Sequence, residues 1–372
     1  MIEYIEIRGS DTETIGIIDI ANSIIWHSVY FGVGDFEIYV QATPDMINLL
    51  RVGRYVTRPD NEEVGIIESI NVANNEQDGT MILASGRFAK SILERRLIYN
   101  LSGSINNATT LYGNVENEIR EVIYNNAINC PFDSNRNISI LQLGDVANIP
   151  LRIVSANGNA SRKQVSYDNL LSYTDKVLQE YGLSSLCKLS GGKLLYNVYQ
   201  GANRGVDNTD GNIPIVFSQE YDNLTASEYT YSAITEKNVA LIGGEGEGTK
   251  RFYSLVSNGE ADLNRREMFV DASKISKTYI DNNDVEQTYS DDEYKEMLDT
   301  KGKQDIAPLV ATESFNGTID ATNGNYVYGR DFTLGDIVTV QDNNLGFYAN
   351  VRIREATEVQ DENGYTVELN YQ

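Results

Sequence analysis

The sequence predicts a mainly β protein with a smaller α/β insert, and three observations lead there. Hydrophobic and polar residues alternate over short runs towards both ends of the chain. Amphipathic helical stripes and a hairpin signature interrupt that alternation in the middle. The composition is rich in strand and turn formers, with 24 Tyr, 30 Gly, only 6 Pro and frequent Ile, Val, Thr and Asn. With 372 residues, 41% of them hydrophobic, there is material for more than one core, and two to four domains are expected.

Taken in order, "IEYIEIR" alternates Ile5 and Ile7 with Glu6 and Arg8. In "DFEIYVQ", Phe36, Ile38 and Val40 share a face, with Glu37 and Tyr39 on the other. Turn residues separate such runs at Gly9-Ser10-Asp11, from Gly32 to Asp35 and from Asn74 to Gly79. A short helix is expected over "GRFAKSILERRL", where Phe88, Ile92, Leu93 and Arg96 lie at helical spacing. "NVENEIREVIYNN" places Val115, Ile119, Val122 and Ile123 on one stripe, with Asn114 as its cap. "SYDNLLSYTDKVLQEYG" repeats the pattern through Leu170, Leu171, Val177, Leu178 and Tyr181, with Ser166 as a starting cap and Gly182 as a stop. A hairpin follows in "LSSLCKL", "SGG", "KLLYNVY". From Ile213 the strand alternation returns. One more helix is signalled at "SDDEYKEMLDTKG", by the capping-box spacing of Ser290 and Glu293, with Gly302 to end it. The tail from Ala307 reads as strands and turns. The domains expected are a β domain with a short helix over 1–105, an α/β insert over 106–205, returning strands over 206–275, and a helix with a second β domain over 276–372.

The two ends resemble each other. "LRVGRYVTRPDNEEVGIIESI…" from Leu50 and "FTLGDIVTVQDNNLGFYANVRIREA…" from Phe332 match Gly53, Val56 and Thr57 to Gly335, Val338 and Thr339. The acidic, Asn-rich turn after Arg58 matches Asp342 to Asn344. Glu68 and Glu355 each stand within a strand, and both copies finish with a turn, at Asp78-Gly79 and Asn363-Gly364. The match needs gaps, and a generic meander would also produce it. Read as a repeat, it puts related β-barrel-like domains at opposite ends of the chain.

Chemistry is scarce. Thirty Lys and Arg against 54 Asp and Glu give 30 − 54 = −24, a field that repels nucleic acid and anionic lipid. Cys130 and Cys187 are too few for a disulfide framework, and the early acids of "MIEYIEIRGSDTETIG" do not make a leader. A soluble protein of a reducing cytoplasm is expected. "GGEGEGTK" approaches a phosphate loop, since Gly243 and Gly248 are correctly spaced, but Thr249-Lys250 reverses the required pair. The following "RFYSLVS" reads as a strand where the loop needs a helix, and Glu245 and Glu247 would repel phosphate. A tight turn or interface loop is the expectation. His27, in "SIIWHSVYF", reads as a structural histidine, and Cys130, Cys187 and His27 lack zinc spacing. "DNTDG" at Asp207 has the wrong register for a calcium loop. Paired carboxylates of a glycosidase stay open. Arg51, Arg54, Arg58, Arg87, Arg95 and Arg96 are expected to partner neighbouring acids. The acidic run before the last helix reads as a solvated loop.

The segments "GDFEIYV", "NLLRVGRYVTRPDNEEVGIIESI", "GRFAKSILERRL", "LLYNVYQGANR", "VFSQEYDNLTASEYTYS", "NVALIGGEGEGTKR" and "YGRDFTLGDIVTV" stand in an order that resembles the tail-hub proteins of long-tailed phages. The resemblance spans most of the chain. It implies two tube-like β-barrel domains flanking a smaller α/β domain, and a homotrimer whose six barrels ring the DNA channel. Its partners would be the distal tail protein or tail tube, the tape measure protein, and a tail fibre or spike. The setting would be the virion tail tip, after assembly in the host cytoplasm. It implies no catalytic residue, no metal ligand, no cofactor, no specific nucleic-acid binding and no membrane segment. Some relatives carry peptidoglycan-cutting domains. This chain stops at "YTVELNYQ" and lacks a peptidase's histidines, so wall hydrolysis is not expected. A carbohydrate-binding or weakly glycosidic β protein, and the hub of a contractile injection device, remain the alternatives.

Overall fold

The computed structural model describes residues 2–75, 79–100, 109–154, 162–224, 226–280, 285–319, 326–343 and 346–371. The chain forms two compact units. One gathers Met1–Ser91, Leu183–Tyr231 and Glu313–Gln372, the other Ile92–Gly182 and Ser232–Thr312. The architecture is mainly β with a few helices, as the alternation predicts.

Strand β1 (Ile5–Arg8) buries Ile5 and Ile7, and β2 (Thr14–Ile18) returns antiparallel to it. In β3 (Ser23–Val29) Ile24 and Trp26 point inward, and in β4 (Asp35–Gln41) Phe36, Ile38 and Val40 do so. Helix α1 (Pro44–Leu49) is capped by Thr43. Strands β5 (Tyr55–Arg58), β6 (Asn61–Asn75) and β7 (Gly79–Phe88) make an antiparallel meander. Part of the turn expected from Asn74 to Gly79, Asp78 included, lies outside the described residues. The helix expected over "GRFAKSILERRL" is a 3-10 stretch, Ala89–Arg95. The ladder holds Gly86 to Phe88 in β7, which leaves too short a run for α-helical turns to propagate.

Helix α2 (Val115–Ile123) starts as expected, with Asn114 Oδ1 accepting from the Asn117 amide at 3.0 Å. Helix α3 (Leu170–Glu180) is capped by Asn169 rather than Ser166. Two capping-type residues stand close together there, and Ser166 is buried in the preceding turn. Gly182 follows α3 in the left-handed region, at φ 67°. The hairpin forms between β8 (Ser184–Ser190) and β9 (Lys193–Tyr199), closing at Gly191 and Gly192. It belongs to the first unit, whereas α2 and α3 belong to the second.

Strand β10 (Ala226–Ser232) precedes a small sheet in the second unit. There β11 (Val239–Gly243) pairs antiparallel with β12 (Tyr253–Ser257) and parallel with β13 (Glu267–Asp271). The acidic run before the last helix is no plain loop, because Glu286–Thr288 pairs with Thr278–Ile280; residues 281–284 lie outside the described set. Helix α4 (Asp291–Ile306) lays Tyr294, Met297 and Leu298 on Ala240, Ile242 and Val270. Its capping box is formed, since Ser290 Oγ accepts from the Glu293 amide and Glu293 Oε2 from the Ser290 amide. Gly302 does not end α4. A Cβ there would lie 2.6 Å from Ile242 Cδ1, so the glycine permits close helix–strand approach and the helix runs on to Ile306. Strands β14 (Thr312–Ile319), β15 (Ile337–Asp342), β16 (Phe347–Asp361) and β17 (Gly364–Tyr371) complete the chain.

The first unit is built on one sheet in the order β10-β14-β17-β16-β3-β4-β7-β6-β5-β1-β2, with β15 on the far part of β16. Within it the two ends of the chain repeat one geometry. Gly53 N–H donates to Ile67 O at 2.8 Å and Ile67 N–H to Arg54 O at 2.9 Å. Gly335 N–H donates to Ile353 O at 2.9 Å and Ile353 N–H to Asp336 O at 2.9 Å. Both glycines have positive φ, 86° and 90°. The ladder skips one residue after Ile67 and one after Ile353. That register sets Glu68 against Arg354, so the expected match of Glu68 with Glu355 is off by one. Each meander faces its own core. Trp26, Phe36, Phe88, Val56 and Ile67 fill one; Tyr30, Phe217, Phe332, Val338 and Ile353 fill the other.

Candidate functional site

The two meanders meet where β3 pairs antiparallel with β16, with Trp26 opposite Glu358, His27 opposite Thr357 and Val29 opposite Glu355. Charged side chains gather at this seam. Arg58, at the end of β5, reaches across it, its Nη1 and Nη2 donating to Glu358 Oε1 and Oε2 at 3.0 and 2.9 Å. Its Nε and Nη2 also donate to Asp60, and its guanidinium lies 5.2 Å from the Trp26 ring centre. Arg58 and Glu358 are both buried. Burial opposes the charge on Arg58, but its hydrogen bonds to Asp60 and the charge of Glu358 hold it protonated more firmly than usual. Tyr365 adds an O–H···O bond of 2.5 Å to Glu358 Oε2.

Two further groups sit beside that pair. Ser28 Oγ donates to Glu63 Oε2 at 2.5 Å. Burial pushes the Glu63 carboxyl up to about 7, against the pull of Ser28 and Lys90. His27 lies between Glu355 (Nε2 to Oε2, 3.9 Å) and Asp35 (Nδ1 to Oδ2, 3.4 Å). The bond to Glu355 raises its pKa, burial counters it, and Asp35 raises it further. His27 thus has a carboxylate on each side. The seam locks one copy of the repeat to the other.

The remaining candidates fall out individually. "GGEGEGTK" joins β11 to β12 of one hairpin, followed by a strand as expected. Its Glu245 amide donates to Tyr294 Oη at 2.7 Å, and Arg251 donates to the carbonyls of Gly243 and Gly244. Glu245 and Arg251 thus hold the loop against its own unit. Cys130 and Cys187 are buried thiols. Among the described residues no cluster of His, Cys, Asp or Glu could hold a metal ion. Arg87 pairs with Glu68 at 2.8 Å, as expected of an arginine with acidic neighbours. Arg51, Arg54 and Arg96 instead donate to the Asn48 amide oxygen or to backbone carbonyls. Asp207, in "DNTDG", accepts from Asn350 Nδ2. The seam itself went unrecognised in the sequence. The expected pairing of Arg58 with a neighbouring acid holds at Asp60, but its partner Glu358 lies 300 residues away, beyond any local signal.

Solved structures share this fold along the whole chain. The 43 kDa tail protein of prophage MuSo2 from Shewanella oneidensis superposes with a TM-score of 0.59 at 14% identity, over 100% of this chain and 98% of that one. The tail protein from Neisseria meningitidis MC58 gives 0.58 at 13%, over 99% and 96%. Prophage tail protein gp18 from Listeria monocytogenes EGD-e gives 0.51 at 12%, over 99% and 94%. No curated protein matches by sequence. The fold is thus that of phage tail proteins. The chain belongs to the family described as Siphovirus ReqiPepy6 Gp37-like protein, whose profile matches residues 4–370, and it is a tail structural protein. No helix of the described residues is long and apolar enough to cross a membrane.

Proposed function

We propose that this protein is the hub of a siphophage tail, a homotrimer that joins the sixfold tube or distal tail ring to the threefold tip. Three chains, each with two tube-like β domains, place six related wall segments around one axis. The observation that carries this reading is the doubled geometry at Gly53–Ile67 and Gly335–Ile353, because a threefold ring can meet a sixfold one only if each chain carries the wall element twice. The net charge of −24 suits a passage through which DNA moves without sticking. The tape measure protein would end at this ring, and a fibre or spike would occupy the distal face. The role is structural and asks no catalysis of the chain.

Light scattering on the purified protein tests the reading. A mass three times 41.5 kDa, with particles that show a central channel in electron microscopy, is the expected result. A monomer at every concentration would reject it.

A further inference from the structure

The small sheet of the second unit is apolar on both faces. Under α4 it presents Ala240, Ile242 and Val270. On the opposite face Leu241, Leu255, Phe269 and Tyr253 are 43%, 49%, 53% and 50% exposed. The register sets Leu255, Leu241 and Phe269 side by side across all three strands. A sheet apolar on both sides belongs to an interior layer, and an exposed apolar row of this kind marks a contact surface.

The charges beside the row are paired within the chain. Arg251 pairs with Asp271 at one end and reaches over the Phe269 ring at 5.4 Å. At the other end Arg265 Nε pairs with Glu267 Oε1 at 2.5 Å. The two acids of β13, Glu267 and Asp271, thus each have an arginine, in a chain carrying 54 acids against 30 bases. Two copies of so acidic a chain repel one another over most of their surface. They can approach where the local charge cancels and apolar area is on offer.

We propose that this face, with Leu255, Leu241 and Phe269 at its centre, is where a second copy of the chain docks. The inference rests on the trimeric hub reading and names one of its contact surfaces. In a closed threefold ring the contact is head-to-tail, so a different surface of the neighbour covers the row.

The test uses the full chain with Leu255→Asp and, separately, Phe269→Asp. Light scattering across a dilution series should give a trimer for the unaltered protein. Each variant should raise its dissociation constant by about 30-fold or more, the scale of one interface hot spot, with an unchanged circular dichroism spectrum. As a check free of folding defects, the thiol introduced by Leu255→Cys should react slowly with a maleimide in the trimer and quickly after dilution, since Cys130 and Cys187 are buried. A trimeric wild type with equally trimeric variants and fast labelling would overturn this inference and leave the hub reading standing. A monomeric wild type would overturn both.

Discussion

At the scale of single residues, the seam sets the strongest expectations. Arg58 and Glu358 satisfy each other in a buried site, so removing one strands the other. Arg58→Ala should cost about 3–5 kcal/mol in denaturant unfolding. The double change Arg58→Met with Glu358→Leu should restore much of that loss, because it removes both buried charges together. The neighbouring Glu63 titrates against folding. Its carboxyl has an ordinary value of 4.5 and sits at about 7 in the folded protein. The stability linked to its proton is complete below pH 4.5 and is lost as the pH rises through 7. His27, raised above 6.5, adds a loss of the same sign as the pH rises through its folded value. The melting temperature should therefore fall from pH 5 to pH 8, and Glu63→Gln should flatten that slope. An unaltered slope would refute the assignment. Of this, only the pairing of Arg58 with a neighbouring acid was legible in the sequence, because Asp60 stands two residues away. The acidic partners of His27 stand 8 residues away on β4 and 328 residues away on β16.

At the scale of elements, local patterns carried well. The strands at "IEYIEIR" and "DFEIYVQ", the Asn114 cap, the Gly191-Gly192 hairpin and the Ser290–Glu293 box all stand where short-range rules put them, because a few neighbouring residues decide each one. The misses have another cause. Gly302 looks like a helix stop until Ile242, 60 residues away, is packed against it. The repeat yields a graded prediction. Gly53 and Gly335 share a positive φ, so alanine at either should cost about 1–2 kcal/mol of backbone strain. At Gly335 a Cβ would also fall 2.1 Å from Tyr30 Cε2, whereas at Gly53 it meets open space. Chemical denaturation should find Gly335→Ala clearly the more damaging, and equal losses would contradict the packing described.

At the scale of the molecule, the first unit is stitched from three separated stretches, and its sheet depends on the last strand. β17 stands between β14 and β16 and brings Val367, Leu369 and Tyr371 into the core. Removing residues 362–372 should abolish the cooperative unfolding transition of this unit and send the protein into aggregates. A truncated chain that still melts sharply at the same temperature would show that the strand is dispensable. Pairing of β3 with β16 joins residues more than 300 positions apart, so loop closure must be met before the seam contributes anything, and slow folding is the natural consequence.

The sequence by itself determined the β-rich class, most of the elements, the absence of a phosphate-loop pattern, and the likeness between the two ends. Those follow from side-chain alternation, turn chemistry and spacing within short windows. Only the tertiary structure decided that the two ends share one sheet, that Arg58 meets Glu358 at their junction, and that Leu241, Leu255 and Phe269 line up on an uncovered face. Strand pairing over long separations depends on which edges and cores fit together in space, and no local window of residues contains that information.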